Sequence, residues 1–402
     1  MSVRFVLIMA LICCCFFPGA IWAQAVERKT AGVVDGNWNF GVKLYKVLGE
    51  KPGNLFFSPF SLSTALAMTY GGAEGDTATV MAKALDFSEN PKALIQSMGA
   101  LGRLTSGEGK PYQLLTANAL WAQKGYSFKK EYLAALNAAN QAEVTEIDFA
   151  RTTEAARKTI NEWTSKQTNK KIPELLAQGI LTEMTRLVLT IAIYFKGSWE
   201  VEFPKALTKP ESFHLNGKEQ ALVPMMFRKG DFRYIEGTTY KAVELPYKGG
   251  DIVMDIFLPK DVAGLAAFEK EMAAVELQKL LKEMHFQTDL LVKLPPFKIE
   301  AGFSLKEALS TLGMEQAFTD AADFSGMNGK KNLKIGAVIH KAFVDVNEEG
   351  TEAAAATAVE MKTKGFSPKN LEFVADHPFL FLIVEVKNGN VLFLGRVADP
   401  RY

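Results

Sequence analysis

Residues 186–199 read RLVLTIAIYFKGSW, a run almost continuously apolar and rich in β-branched side chains. A strand with one wet face alternates apolar and polar residues. A run without alternation suits a strand covered on both faces. DIVMDIFLP (251–259) and PFLFLIVEV (378–386) with NVLFLGRV (390–397) share this character, and KNGN (387–390) between the last two is a hairpin signal. KAFVDV (341–346) and TDLLVKLPPFKI (288–299) read as further strands. Helices are interspersed. SPFSLSTALAMTYGGA (58–73) has a Ser58-Pro59 start and a Gly71-Gly72 stop, and TTEAARKTINEWTSKQTNKKI (152–172) spaces its apolar residues as a helix does. The class is α+β with large sheets. No repeat or low-complexity linker interrupts residues 26–402, so a single large domain is expected.

The first 25 residues stand apart. Arg4 precedes the apolar run FVLIMALICCCFF, Pro18-Gly19 breaks it, and AQA (23–25) has the small residues of a cleavage site. This predicts a secretory signal peptide over 1–25, too short in its apolar part for a membrane span. The product is expected to be secreted or extracellular, or periplasmic if the source is bacterial. All three cysteines (Cys13, Cys14, Cys15) lie in this leader, so the remainder has no disulfide and no cysteine metal site. Loss of Arg4 with the leader leaves basic and acidic residues equal at 45. That balance points to neither nucleic acid nor an anionic membrane as partner.

A search for enzymatic chemistry returns little. His214, His285, His340 and His377 form no metal-type pair, and neither a G-x-S-x-G elbow nor a phosphate-cradling G-x-x-x-x-G-K-[ST] loop occurs. GGAEGD (71–76) follows a helix rather than a strand and reads as a helix exit. No cofactor and no metal are expected.

The unusual segment is NEEGTEAAAATAVEMKTKG (347–365), set between two strand-like stretches. From Thr351 onward, one alternate set is Thr351, Ala353, Ala355, Thr357, Val359, Met361 and Thr363, all uncharged. Every charge falls in the other set, Glu352 to Lys364. As a strand, the segment has a small, uncharged face and a charged one. An exposed alanine-rich helix is equally compatible with the composition.

Beyond this segment, the order of motifs resembles the serpin family across nearly all of residues 26–402. The motifs are NLFFSPFSLSTALAMTYGGAEGDT (54–77), INEWTSKQTNKKIPELL (160–176), AIYFKGSWEVEF (192–203), VELPYKGGDIVMDIFLP (243–259), LPPFKIE (294–300), IHKAFVDVNEEGTEAAAATAV (339–359) and ADHPFLFLIVEVKNGNVLFLGRVADP (375–400). The resemblance implies about nine helices, three β-sheets and an exposed reactive-centre loop, here about 348–374. It also implies a non-enzymatic function: suicide inhibition of serine proteases, and for some members of cysteine proteases, by a monomer. A cleaved loop enters the central sheet as an added strand and traps the acyl-enzyme. The alternative within the family is a non-inhibitory binding or carrier protein.

Residue by residue, the resemblance makes Glu348, Glu349, Gly350, Thr351, Glu352, Ala353, Ala354, Ala355 and Ala356 the hinge. Family spacing puts the cut bond after Lys364, before Gly365, which suits a trypsin-like protease with an acidic specificity pocket. Loop length varies, which leaves Lys362 and Phe366 as alternatives, the latter suiting a chymotrypsin-like target. Ser58, Ser61 and His340 match the polar cluster that gates the sheet, with His340 expected to bond Ser58 directly or through water. Ile191 stands where the family usually has Asn, and alternation turns the neighbouring Thr190 to the other face. The region matching a heparin-binding helix, 88–103, carries only Lys92 and Arg103 as basic residues, so no such activator is expected.

Overall fold

The continuous apolar runs become central strands, and the helices cover them. A computed structural model of the chain describes residues 18–139, 144–215, 219–351 and 371–401, with side chains from residue 30 onward. The strands are β1 (Leu55–Phe57), β2 (Tyr112–Gln123), β3 (Val144–Ile147), β4 (Leu187–Ser198), β5 (Lys209–His214), β6 (Gln220–Glu236), β7 (Tyr240–Pro246), β8 (Ile252–Pro259), β9 (His285–Leu294), β10 (Phe297–Ser304), β11 (Ala337–Asn347), β12 (Gly350–Thr351), β13 (Glu372–Val374), β14 (Phe379–Glu385) and β15 (Asn390–Val397). The helices are α1 (Pro18–Leu48), α2 (Pro59–Tyr70), α3 (Gly75–Leu85), α4 (Pro91–Thr105), α5 (Lys130–Ala138), α6 (Phe149–Gln167), α7 (Leu265–Glu271) and α8 (Ala274–Glu283), with the short α9 (Lys306–Leu309) and α10 (Ser325–Asn328).

One sheet runs β10-β11-β12-β4-β2-β3. The other strands form the path β1-β15-β14-β8-β7-β6-β9-β13, with β5 branching from β6. Strand β6 is shared. Its end (Arg233–Glu236) pairs with β7, its start (Gln220–Met225) with β5, and its middle with β9 across an irregularity between Gly230 and Phe232. Divided there, the path becomes two sheets, which makes three among the described residues. The expected strand over 288–299 is two strands in different sheets, β9 and β10, because Pro295-Pro296 offers no N–H to continue a ladder.

Helix α2 carries Ser61 and is capped by Ser58, two residues of the expected gate. Every residue of α2 is buried, and it packs against β2 and β4 of one sheet and β15 of the other. A helix with no exposed face belongs in the interior, although Ser61, Ser63, Thr64 and Thr69 keep this one from being apolar all round. Ser58 caps its start, accepting the N–H of Ser61, and Pro59 fills the first turn, where no N–H is needed. A second, smaller core lies on the opposite face of the central sheet. There Phe149 and Ile160 of α6, with Leu175 and Leu176 beyond it, cover Ala117, Ala119, Val188, Ala192 and Ala337.

Candidate functional site: hinge, clasp and seam

Strand β11 ends at Asn347, and Glu348-Glu349 forms a tight turn into β12. The register pairs Val346 with Thr351 and Asn347 with Gly350. On its other edge β12 pairs with β4, Gly350 opposite Ser198 and Thr351 opposite Gly197. The first two residues after the turn are thus already a strand between β11 and β4, antiparallel to both. Gly350 has φ +146°, and a Cβ there would lie 2.2 Å from the Gly197 carbonyl oxygen and 2.6 Å from Ser198 Cα. Backbone cannot yield that far, so only glycine fits. The Thr351 side chain is fully buried and shares a 2.7 Å hydrogen bond with the Tyr247 hydroxyl. Burial pushes the Tyr247 phenol well up, so it stays neutral, and its ring stacks on Trp199 at 4.5 Å.

The turn is clasped by the segment that follows β4. Trp199 N–H donates to the Glu349 carbonyl (2.9 Å) and Phe203 N–H to the Glu348 carbonyl (2.8 Å). Trp199 Nε1 donates to the Asn347 carbonyl (2.9 Å). The Thr208 hydroxyl donates to the Glu348 carboxylate (2.7 Å), and Lys205 pairs with Glu349. That carboxylate holds the Lys205 ammonium above its ordinary range. Glu352, Ala353, Ala354, Ala355, Ala356, Lys362, Lys364, Gly365 and Phe366 lie outside the described residues.

Below β12 the sheet is closed. Strands β4 and β11 pair directly and in parallel, from Val188 opposite Ala337 to Tyr194 opposite Phe343. This direct pairing forms a seam that continues the line of β12. At its centre Ile191 faces His340. His340 is fully buried. Its Nε2 accepts the Ser58 backbone N–H (3.1 Å), and its Nδ1 lies 3.0 Å from the Ile191 carbonyl. A backbone N–H can only donate, so the ring proton sits on Nδ1 and donates to Ile191. The neutral ring crosses the seam, and burial lowers its pKa to about 4. The Ser58 hydroxyl donates to the Leu392 carbonyl (2.6 Å). The expected Ser58–His340 bond is therefore direct but uses the Ser58 backbone.

Ser61 bonds a residue that sequence reasoning missed. Its hydroxyl donates to Asn118 Oδ1 (2.9 Å), and Asn118 Nδ2 donates back to the Ser61 carbonyl (3.3 Å). Asn118 lies on β2 directly opposite Ile191. A side-chain amide therefore stands one strand away from position 191. Its signal in the sequence is a lone polar side chain in ANALWA (117–122). Thr190 points to the other face, accepting the Trp121 Nε1 proton (2.8 Å).

A strap lies over the seam. Asn161 of α6 accepts the N–H groups of Leu175 (3.0 Å) and Leu176 (2.8 Å) and donates to the Leu176 carbonyl (2.9 Å). Arg157 donates to the same carbonyl (2.8 Å).

Residues 35–400 match the family model described as "Serpin (serine protease inhibitor)". The leukocyte elastase inhibitor of Bos taurus is 44% identical over 373 residues, covering 90% of this chain and 98% of that protein. Among solved structures, Serpin48 of the insect Tenebrio molitor superposes with a TM-score of 0.81 at 33% identity, over 94% of this chain and 99% of that one. Uncleaved ovalbumin does so with a TM-score of 0.83 at 28% identity, over 92% and 100%. A shared fold, relatives named as protease inhibitors and a family model over most of the length lead to one conclusion: this chain belongs to the serpins, a family of serine protease inhibitors.

Proposed function

We propose that the protein is a secreted suicide inhibitor of trypsin-like serine proteases, acting as a monomer and cut between Lys364 and Gly365. The observation that carries the reading is the β12 pairing. A strand seeded between β11 and β4, antiparallel to both, has a register that continues on each side. Extending it sets Thr357 opposite His340 on one edge and Ile191 on the other, two residues that already face each other across the seam. Thr351, Ala353, Ala355 and Thr357 are small enough to thread, and that face carries neither charge nor proline to oppose entry.

The protease serine attacks the loop carbonyl and forms an acyl-enzyme, freeing the chain beyond Lys364. Insertion of residues 351–364, roughly 45 Å of strand at ~3.3 Å per residue, carries the attached protease along before water completes hydrolysis. The bovine relative is named for elastase, whose pocket admits small side chains, whereas a lysine at the cut bond suits an acidic pocket. The bond lies in the loop, so overall identity does not decide specificity.

Secretion is supported by the leader pattern, which lies before the residues the family model covers. N-terminal sequencing of exported protein tests it: a chain beginning at Val26 is expected, and a retained Met1 overturns it.

The central test is incubation with trypsin-like, elastase-like and chymotrypsin-like proteases followed by denaturing electrophoresis. An SDS-stable complex with the trypsin-like enzyme and a released peptide starting at Gly365 are expected. A peptide starting at Thr363 or Ser367 moves the bond to the alternatives after Lys362 or Phe366. Cleavage without a complex overturns the inhibitory reading in favour of a binding or carrier protein.

A further inference from the structure

Arg228 of β6 is 8% exposed, and no carboxylate among the described residues faces it. An arginine taken out of water is normally paired or highly hydrogen-bonded. This one has another set of partners. Its Nη1 donates to the Val201 carbonyl, and its guanidinium lies over the rings of Phe232 (4.5 Å) and Phe203 (6.0 Å). Burial lowers its pKa to about 10, which still leaves it charged at neutral pH.

Val201 and Phe203 belong to the clasp. The two backbone donors that hold the hinge turn, Trp199 N–H and Phe203 N–H, bracket the carbonyl that Arg228 binds. The Phe203 ring meets Trp199 edge-on at 6.4 Å, Trp199 stacks on Tyr247, and Tyr247 bonds Thr351. A continuous chain of contacts therefore runs from the guanidinium to the first residue of the inserting strand. The charge is positioned to fix the curvature of a segment that has no regular secondary structure between Trp199 and Pro204.

We infer that Arg228 is a positioning residue for the hinge: it holds the 199–203 segment so that Trp199 and Phe203 present their N–H groups to Glu349 and Glu348. The inference deepens the proposed insertion mechanism and rests on that reading for its functional consequence. A held turn keeps β12 in register when the loop is cut. A loose one delays insertion and lets hydrolysis compete.

The test uses the full-length protein with Arg228→Met, which keeps the volume and removes the donor and charge, and Arg228→Lys, which restores both. Amide hydrogen exchange at Trp199 and Phe203 is expected to quicken in Arg228→Met by about tenfold, the change produced by losing one hydrogen bond of ~1.4 kcal/mol. Arg228→Lys is expected to return it close to wild type. With a protease that the wild type traps, Arg228→Met is expected to raise the number of inhibitor molecules consumed per protease several-fold, with the rate of loop cleavage unchanged. A uniform rise in exchange across the molecule, or no rise at those two amides, overturns the proposal. Should Arg228→Met fail to fold, Phe203→Leu keeps the arginine while removing the ring it covers. The same local quickening is expected, and its absence overturns the proposal. The exchange measurement needs no protease, so a wild type that traps nothing refutes the inhibitory reading without touching the result for Arg228.

Discussion

His340 is neutral in the folded protein because Ser58 N–H occupies one ring nitrogen and burial penalises the cation. Its pKa falls from an unfolded value of about 6.5 to about 4. Between these values the unfolded chain binds the extra proton and the folded chain does not. Stability from this residue is complete above about pH 6.5 and is lost as pH falls towards about 4, by about 3 kcal/mol in total. The urea midpoint is expected to drop between about pH 7 and about pH 4.5, and to drop less in His340→Gln. Equal drops would show that carboxylates elsewhere dominate. Asn118 invites a second experiment at this scale. Asn118→Ala leaves the buried Ser61 hydroxyl without its acceptor, at an expected cost of about 1–3 kcal/mol by urea titration. In that background Ile191→Asn is expected to recover part of the loss and to slow heat-induced polymerisation, since it returns an amide to the adjacent strand. No recovery would mean that position 191 cannot serve the gate in this chain.

Elements show where local patterns suffice and where tertiary geometry takes over. Strands β4, β8, β14 and β15 were legible as unbroken apolar runs, and α2 by its Ser-Pro start and Gly-Gly stop, because burial on both faces and capping are local demands. Strand β6 was not legible. Its alternation is interrupted by Pro224 and by Gly230 beside a register shift, since one strand serves two sheets. In the site, Glu348, Glu349 and Gly350 were picked out by family resemblance as hinge residues, but the turn that Glu348-Glu349 makes into β12 was not. Asn118, Tyr247, Trp199 and Arg228 were not, because each matters only through a neighbour that folding brings near. The strap was legible in part: the resemblance of residues 160–176 implies a helix that crosses the main sheet, whereas the three bonds from Asn161 to Leu175 and Leu176 depend on how the chain folds back. Asn161→Ala is expected to quicken amide exchange at Leu175 and Leu176 and to raise the rate of heat-induced polymerisation, with little change at α8. Unaltered polymerisation would indicate that seam opening does not wait on the strap.

For the whole molecule, the proposed insertion mechanism requires an uncut folded state that is not the lowest in free energy. Opening the sheet breaks the direct pairing of Val188–Tyr194 with Ala337–Phe343, but an inserted strand remakes both edges, so one strand's worth of ladder is gained. About a dozen added hydrogen bonds at roughly 1 kcal/mol net give on the order of 10 kcal/mol, comparable to the stability of an ordinary domain. The uncut protein must then be held by a barrier, to which the His340 bridge, the strap and the clasp contribute. Cutting the loop removes the tether that opposes insertion, and the Tm of the nicked protein is expected to rise by at least about 10 °C. Thr351→Arg supplies the control, since a guanidinium has no room in the buried slot beside Tyr247. That variant is expected to be nicked at the same bond yet to gain little in Tm and to form little SDS-stable complex. If nicking leaves the wild-type Tm unchanged, the uncut fold stores no such energy and the trapping mechanism fails. If Thr351→Arg gains as much as wild type, insertion does not begin at β12.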